Sequence, residues 1–368
     1  MASDLITRHP FKGIWALGAI ILNAVKLPLW LFYYSFSSNR QHPKWSFKQA
    51  VAAVALKTAV WHSSMVQVST PLVIKAEGKE EGFLVPIKPS SIPGVYKGIC
   101  DDKEIKPATI CGYWYPSPYN ADEDKTKKVV LHFHGGAFVT GDCRPKKSGY
   151  AADLLTQHIG KTLMVSYRLS SNPDGRFPAA LQDAVTALHY LRDLGIEYSN
   201  IIVGGDSAGG NIVAALLRYL AVTDAPGPAA ALLWSPWIDL ARTLTPEVLY
   251  ESPHRFTDYI PANFAIWGAN SYCPKDGPVS MDSEWISPAK HPFYTKTPMW
   301  IQGNGQEVLL EQVKDFSDGM KGIEGNEIAF HSEEIASHDI LLVGNITGFE
   351  KEAVSSVKAA AEWLNQLC

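Results

Sequence analysis

The segment Gly205–Gly209 has the sequence Gly-Asp-Ser-Ala-Gly, which matches the G-x-S-x-G pattern of an activated serine. An apolar run, Ile201–Gly204, precedes it, and a helix-forming run begins at Ala208, so the pattern lies between a predicted strand and a predicted helix. The two glycines allow that strand and helix to approach closely, and the helix N-terminus behind Ser207 stabilises negative charge. The predicted chemistry is attack by the Ser207 hydroxyl on a carbonyl carbon.

A second glycine motif, His134-Gly135-Gly136-Ala137, follows the apolar run Val129–Phe133. Acyl transfer needs backbone N–H groups aimed at the oxygen that becomes negative, and glycines let the backbone approach that oxygen. An ordinary tight turn is the alternative, but the motif follows a strand of its own. The expected oxyanion donors are the N–H groups of Gly135, Gly136 and Ala208. Both His134 and Asp206 are expected to support the two motifs.

A serine nucleophile needs a base, and the base needs a carboxylate to orient it. In this arrangement the chain order is serine, acid, histidine. Of eleven histidines, only His331 and His338 lie late enough in the sequence. The first falls on a predicted strand, whereas His338 falls in the following loop, from which a side chain can reach the site. We predict His338 as the base.

The acid is expected after the preceding strand, Met299–Gln302. There Glu307 is the first carboxylate, and Glu311 lies one helical turn further on. We predict Glu307 as the acid. Three other carboxylates, Asp183, Asp206 and Asp239, come before the expected position, and Asp339 is predicted to be structural or solvated.

From about residue 127 onward, strand and helix patterns alternate. The predicted strands are Val129–His134, Leu163–Tyr167, Ile201–Gly204, Ala230–Trp234, Met299–Gln302 and Glu327–Phe330. The predicted helices are Lys147–His158, Pro178–Leu194, Ala208–Ala221, Val308–Met320 and Glu350–Leu367. Further extended segments are predicted at Val66–Ile74 and Thr109–Tyr115. This alternation predicts an α/β fold, with a mostly parallel sheet covered by helices on both faces and its chemistry at the carboxyl ends of the strands.

The N-terminal residues 13–36 are almost wholly apolar, with Lys26 and Pro28 near the middle. Their length could span a bilayer, but a central lysine costs about 2.5–3.5 kcal/mol on insertion scales, and proline is expected to break or kink the helix. A cleaved signal peptide fits poorly, because no clean cleavage site follows. Two readings stay open: an interfacial or monotopic membrane anchor, or a cap helix over the active site. We expect residues 1–60 to form this cap or membrane-associated segment and residues 61–368 to form the catalytic domain.

Composition limits the partners and the compartment. A net charge of −4 argues against a nucleic-acid partner, because phosphate neutralisation needs clustered basic residues. The five cysteines are scattered without a CxxC pair, so neither a disulfide framework nor a zinc site is predicted. The expected chemistry needs no metal and no organic cofactor. We expect a cytoplasmic or membrane-associated protein, with the endoplasmic reticulum as one location, rather than a secreted one; the sequence does not indicate an oligomeric state.

The sequence resembles the hormone-sensitive-lipase-like family of α/β-hydrolases, which includes carboxylesterases and acetyl-ester hydrolases. The motifs that carry the resemblance span about residues 127 to 345. They are His134–Ala137, Gly205–Gly210, Tyr167–Leu169, Phe177–Ala180, Ser235–Trp237 and Ser287-Pro288. The stretch Leu27–Ala50 is similar to fungal members.

This resemblance implies an α/β-hydrolase fold with an N-terminal helical cap. It also implies hydrolysis of a small or medium acyl ester of an apolar metabolite through an acyl-enzyme. Two departures matter: the family often has aspartate where this chain has Glu307, and Ser170–Asn172 replace an acidic residue after the Tyr-Arg-Leu motif.

Two alternative functions stay open. If the pocket excludes water, the same three residues could transfer the acyl group to an internal hydroxyl or amine, as in lactone formation during natural-product biosynthesis. A non-catalytic small-molecule receptor could also use this fold, although plant hormone receptors of this kind lack the histidine that is present here as His338. Aromatic residues could line an apolar pocket, with core packing as the alternative for each: Trp30, Tyr33, Tyr34, Tyr259 and Trp267.

Overall fold

The computed structural model describes residues 5–367, and within that range eight strands form one sheet. In chain order they are β1 (Leu84–Ile87), β2 (Ile110–Tyr115), β3 (Val129–Phe133), β4 (Lys161–Ser166), β5 (Ile201–Asp206), β6 (Ala230–Trp234), β7 (Met299–Gln302) and β8 (Ile328–His331). The order across the sheet is β1-β2-β4-β3-β5-β6-β7-β8. The β1–β2 and β2–β4 pairs are antiparallel, and every other pair is parallel.

The described residues contain nine helices of eight or more residues. These are α1 (Phe11–Ser35), α2 (Phe47–Met65), α3 (Pro145–His158), α4 (Ala179–Asp193), α5 (Ala208–Val222), α6 (Ala262–Tyr272), α7 (Leu310–Lys321), α8 (Ile340–Thr347) and α9 (Glu350–Gln366). Single α-helical turns lie at Ala121–Asp124, Leu240–Thr243 and Pro246–Leu249. Short 3-10 turns lie at Ser37–Asn39, Gly78–Glu80, Gly98–Cys100, Tyr198–Asn200, Pro253–Phe256 and Pro288–Lys290.

Both faces of the sheet are covered, and each face has its own apolar core. On β3, Leu131 and Phe133 belong to the core that also contains residues of α4, α5 and α7. Val130, which directly precedes Leu131, belongs to the opposite core, with residues of α3, α8 and α9. This alternation follows from the two-residue period of a strand, and burial on both faces explains why the central strands are apolar throughout. The predicted α/β fold with a mostly parallel sheet and N-terminal helices is confirmed.

Two differences from the predicted elements lie at the antiparallel edge. Strand β1 is absent from the prediction; it is four residues long, contains Pro86 and pairs only with β2, as short edge strands do. The predicted extended segment Val66–Ile74 forms no strand. Val66 is buried and Leu72 packs against the core, whereas Val68, Val73 and Ile74 are exposed.

The N-terminal helices form an antiparallel hairpin. Helix α1 is long and apolar enough to cross a membrane by length and composition, and Pro28 lies inside it without ending it, so the predicted break does not occur. A capping box of Ser46 and Gln49 begins α2, which continues through residue 60 to Met65. The division of the chain at residue 60 therefore falls inside a helix, and two separate domains stay a prediction.

Candidate active site

Ser207 lies at the sharp turn between β5 and α5. Its backbone has φ +50° and ψ −114°, a left-handed conformation that is costly for a residue with a side chain. The turn is held by hydrogen bonds from its N–H to the Trp234 carbonyl and from the Trp237 N–H to its own carbonyl, both 2.9 Å. A Cβ atom on Gly209 would overlap the Phe133 carbonyl oxygen, so only glycine fits there.

The structure brings together the three side chains that the sequence assigns as nucleophile, base and acid. The His338 Nε2 atom lies 2.9 Å from Ser207 Oγ, and its Nδ1 atom lies 2.9 Å from Glu307 Oε2. All three side chains are buried, yet Ser207 and His338 also line a cavity. A serine hydroxyl, an imidazole and a carboxylate joined in this order can move a proton from the serine to the imidazole.

Burial and the neighbouring charges have opposite effects on the pKa values of His338 and Glu307. Burial alone would lower the pKa of His338, but the hydrogen bond and negative charge of Glu307, with smaller effects of Asp258 and Asp206, raise it above its ordinary value. Burial raises the pKa of Glu307 despite the neighbouring imidazole. The second oxygen of Glu307 accepts a hydrogen bond from the Asn304 N–H at 2.8 Å, which fixes the carboxylate.

The oxyanion assignment needs one correction. The Gly135 N–H donates to Asp206 Oδ2 at 2.6 Å, so this N–H already has a partner and cannot also serve an oxyanion in this geometry. The other oxygen of Asp206 lies 2.8 Å from His132 Nε2. Asp206, which directly precedes the nucleophile, therefore connects the end of β3 and the glycine loop to the turn of Ser207.

The N–H groups next to Gly135 remain available. Within the described residues, those of Gly136 and Ala137 have no hydrogen-bond partner, and both residues have positive φ angles of +110° and +51°. Ala208 is the first residue of α5, so its N–H has no acceptor within the helix. His134 supports the loop by donating from Nδ1 to the Gly135 carbonyl at 2.7 Å and by stacking on Tyr167.

The rival residues have other partners. His331 Nε2 lies 3.1 Å from Glu333, and exposed Glu311 forms an ion pair with Arg242. Buried Asp183 holds Arg168. Asp239 caps the turn Leu240–Thr243.

Two roles were predicted for Asp339, a structural one or that of a solvated carboxylate. Its side chain is buried, and the residue has a structural role. It caps α8 through the Leu342 N–H and has a φ of +51°. Burial, together with the nearby charge of Asp206 and a hydrogen bond to it, raises the pKa of Asp339 well above its ordinary value. The neighbouring carboxylate of Asp206 thus favours the protonated form of Asp339 beside the His338 loop.

A cavity of about 470 Å³ opens onto Ser207 and His338. Part of its wall comes from α2, which contributes Leu56, Ala59, Val60 and Ser63. No residue of α1 lines it, so the part of the N-terminal hairpin that covers the cavity is α2 and not the apolar segment 13–36. Of the aromatic residues considered from sequence, only Tyr259 lines the cavity, with its ring centroid 5.8 Å from that of His338. Phe264 and Trp237 supply the other aromatic walls.

Two further residues, Ser235 and Asp258, complete the site without having been predicted from the sequence. Ser235 Oγ accepts from the Asp339 N–H at 3.1 Å and from Asn304 Nδ2 at 3.3 Å. Asp258 accepts from the Val308 N–H at 2.7 Å and adds negative charge near His338. Ser235 belongs to a motif that carries the family resemblance, which was a usable signal. Asp258 lies in an irregular segment, where no sequence pattern marks it.

Comparison with known proteins gives consistent relatives. Residues 130–342 match the family model Abhydrolase_3, described as alpha/beta hydrolase fold. An acetyl-hydrolase of Streptomyces hygroscopicus is 28% identical over 182 residues, which cover 49% of this chain and 54% of that protein. An AB hydrolase superfamily protein of Schizosaccharomyces pombe is 34% identical over 173 residues, covering 45% and 47% respectively. The chain thus spans about half the length of the curated relatives it matches.

Among solved structures, an esterase from the bacterial hormone-sensitive lipase family superposes with a TM-score of 0.63. It is 21% identical, and the alignment covers 88% of this chain and 99% of that one. At this identity the match shows a shared fold.

Proposed function

This chain belongs to the alpha/beta hydrolase fold family, and we propose that it is a serine esterase that cleaves a carboxylic ester through an acyl-enzyme. One observation carries the proposal. A buried imidazole bridges a serine hydroxyl and a carboxylate at 2.9 Å on each side, and this serine faces an apolar cavity. The relative named as an acetyl-hydrolase supports the same chemistry.

In the proposed reaction, Ser207 Oγ attacks the ester carbonyl carbon while its proton moves to His338 Nε2. Glu307 holds the imidazole and stabilises its positive charge. The carbonyl oxygen becomes an oxyanion, which accepts hydrogen bonds from the N–H groups of Gly136, Ala137 and Ala208. His338 then protonates the leaving alcohol as the C–O bond breaks. A water molecule, deprotonated by the same imidazole, releases the acid and restores Ser207.

The cavity supports a small or medium acyl ester of an apolar metabolite as substrate. A volume of about 470 Å³ is in the range of pockets that enclose drug-sized ligands. Near the nucleophile, Trp237, Tyr259, Ile260 and Leu309 supply apolar walls. Such walls select by size and hydrophobicity more than by hydrogen bonds, so we expect a range of acyl groups to be accepted.

We also propose that residues 13–36 associate with a membrane, which makes the protein membrane-associated, at the endoplasmic reticulum or another cytoplasmic surface. The exposed apolar surface of α1 supports this proposal. Helix α1 lines no part of the cavity, so its apolar surface is not needed to enclose a substrate.

The test is hydrolysis of p-nitrophenyl acetate by wild type and by Ser207→Ala. We expect the variant to lose nearly all turnover, on the order of 10⁴-fold or more, while its thermal unfolding stays close to that of wild type. Ser317→Ala, which changes a buried serine in α7, is the matched control and should keep full activity. Undiminished turnover in Ser207→Ala would refute the proposal that Ser207 is the nucleophile of an esterase.

Two further measurements separate the alternatives. A fluorophosphonate should label wild type and not Ser207→Ala; a non-catalytic receptor would remain unlabelled in both. Mass spectrometry of products formed with an added alcohol distinguishes water from a hydroxyl as the acyl acceptor. A free acid as main product supports hydrolysis, and a new ester supports acyl transfer.

A further inference from the structure

Helix α1 places its polar and apolar sides opposite to those of a surface helix in a water-soluble domain: the more polar side faces the protein, and the apolar side faces outward. Its half-buried residues are spaced three or four apart and form one stripe: Lys12, Trp15, Ala19, Asn23, Lys26, Trp30 and Tyr34. The stripe packs on α2, because the Trp15 ring lies 5.7 Å from that of Trp61 and Lys12 Nζ donates to the Gln67 carbonyl. Three of its seven members are strongly polar. In a soluble protein the stripe that faces the body is apolar.

The outward face of α1 is correspondingly apolar. Twelve large apolar residues of this helix have 40–71% of their side-chain surface exposed. They are Phe11, Ile14, Leu17, Ile20, Ile21, Leu22, Val25, Leu27, Leu29, Leu31, Phe32 and Tyr33. A continuous apolar surface of this extent is unusual on a monomer in water and indicates an apolar environment.

Charge identifies that environment. Residues 5–76 contain eight Lys and Arg residues and no Asp or Glu, whereas residues 77–368 contain 25 basic and 36 acidic residues. Two of the eight, Lys44 and Lys48, are ion-paired with Glu334 and Glu350 of the body, and Lys57 donates to a body carbonyl. The other basic residues, with exposed Arg8 among them, leave this end of the protein positively charged beside an apolar helix, which fits the surface of an anionic membrane. This charge does not fit a second copy of the same helix, because two such segments would bring like charges together.

The cavity lies one helix away from this surface. Helix α2 contacts α1 through Trp61 and His62, and it lines the cavity through residues at neighbouring positions, Val60 and Ser63. Ile346 also lines the cavity and is 55% exposed, so apolar surface continues from the cavity wall to the exterior.

We propose that α1 lies in the plane of an anionic membrane, with its outward face among the acyl chains, and that the cavity takes its ester substrate from that membrane. The substrate half of this inference rests on the proposed esterase function. The orientation also removes the objection to Lys26 in an apolar segment, because this lysine belongs to the stripe that faces α2 and not to the lipid-facing surface.

The experiment compares three proteins. The first is wild type, and the second, Leu17→Ser with Ile21→Ser, changes the outward face of α1. The third, Ile92→Ser with Val222→Ser, changes two equally exposed apolar residues elsewhere. Each is sedimented with phosphatidylcholine vesicles that contain phosphatidylserine, assayed on a medium-chain ester of an apolar aryl alcohol that partitions into those vesicles, and assayed on soluble p-nitrophenyl acetate without vesicles.

We expect wild type and the control to sediment and to hydrolyse the membrane ester. The α1 variant should lose vesicle binding by about tenfold or more, because each serine removes an aliphatic side chain from lipid. Its turnover of the membrane ester should fall in proportion, while its hydrolysis of p-nitrophenyl acetate stays unchanged and shows that it is folded. Leu29→Ser with Phe32→Ser repeats the test at the other end of α1.

Wild type that remains in the supernatant would overturn the proposal. So would α1 variants that bind as well as wild type, or a wild-type dimer that dissociates when α1 is changed while vesicles have no effect. Failure of the esterase proposal has a different signature, since p-nitrophenyl acetate would then be left intact by all three proteins and the sedimentation result would still decide the membrane half.

Discussion

At the scale of single residues, the chemistry depends on the pair of His338 and Glu307. The imidazole must be neutral to accept the serine proton, so activity requires a pH above the pKa of His338. The carboxylate raises that pKa above the ordinary histidine value. Activity is therefore lost as pH falls through this raised pKa, and the acid limb of the pH profile should lie above the position that an unperturbed histidine would give.

Replacing Glu307 with glutamine tests this assignment. The variant keeps the size of the side chain but removes the negative charge, so the pKa of His338 should fall and the acid limb of kcat/KM should move to lower pH. Turnover at neutral pH should fall by about 10²–10⁴-fold, because the imidazole loses its orienting carboxylate.

The control for this prediction is Glu311→Gln, one helical turn away and exposed in an ion pair with Arg242. Its pH profile should match that of wild type. An unmoved acid limb in Glu307→Gln, measured with p-nitrophenyl acetate across the range, would show that Glu307 does not act on His338.

At the scale of elements, the site depends on how closely β3, β5 and α5 approach one another. Gly209 packs so tightly on the end of β3 that a Cβ atom would overlap the Phe133 carbonyl oxygen. This contact keeps the turn of Ser207 beside the oxyanion loop, since that loop begins where β3 ends.

Gly209→Ala should therefore lower the free energy of unfolding by about 3 kcal/mol or more, as overpacking against a backbone atom does. Gly149→Ala is the matched control, because it also changes a buried helical glycine, but its Cβ would meet its nearest neighbour at 3.6 Å. The control should change stability by less than about 1 kcal/mol, in the stabilising direction. Urea unfolding followed by circular dichroism measures both, and equal stability of the two variants would contradict the packing argument.

The same elements show what the sequence could and could not predict. The parallel strands and their helices were predictable, because buried strands are continuously apolar and the helices have a strong 3.6-residue period. The positions of Ser207, Glu307 and His338 after their strands followed from the same alternation. The oxyanion role predicted for Gly135 was wrong, because the spacing of a motif does not show that its N–H is bonded to Asp206. Asp258 reaches the site from an irregular segment, whose path no periodicity specifies.

At the scale of the whole molecule, the excess of positive charge and the exposed apolar surface both lie in the N-terminal segment. The sequence predicted an apolar segment, but its net charge of −4 concealed the partition into a basic end and an acidic body. Only the fold showed that the polar residues of α1 face the protein. The inward position of Lys26 and the outward position of Leu17 and Ile21 follow from the packing on α2.

If anionic lipid attracts the basic end, as the membrane inference requires, binding must depend on salt in a specific way. Partitioning onto vesicles with phosphatidylserine should weaken as potassium chloride is added, whereas partitioning onto pure phosphatidylcholine should not, because salt screens charges and not apolar contact. Arg8→Glu should reduce binding to the anionic vesicles by about 30-fold, since it changes the charge by two and each charge near the surface contributes about 1 kcal/mol. Lys358→Glu makes the same change of net charge at an exposed position of α9, outside the N-terminal segment, and should have little effect. Equal losses in the two variants would mean that net charge alone, rather than a basic surface beside α1, governs the binding.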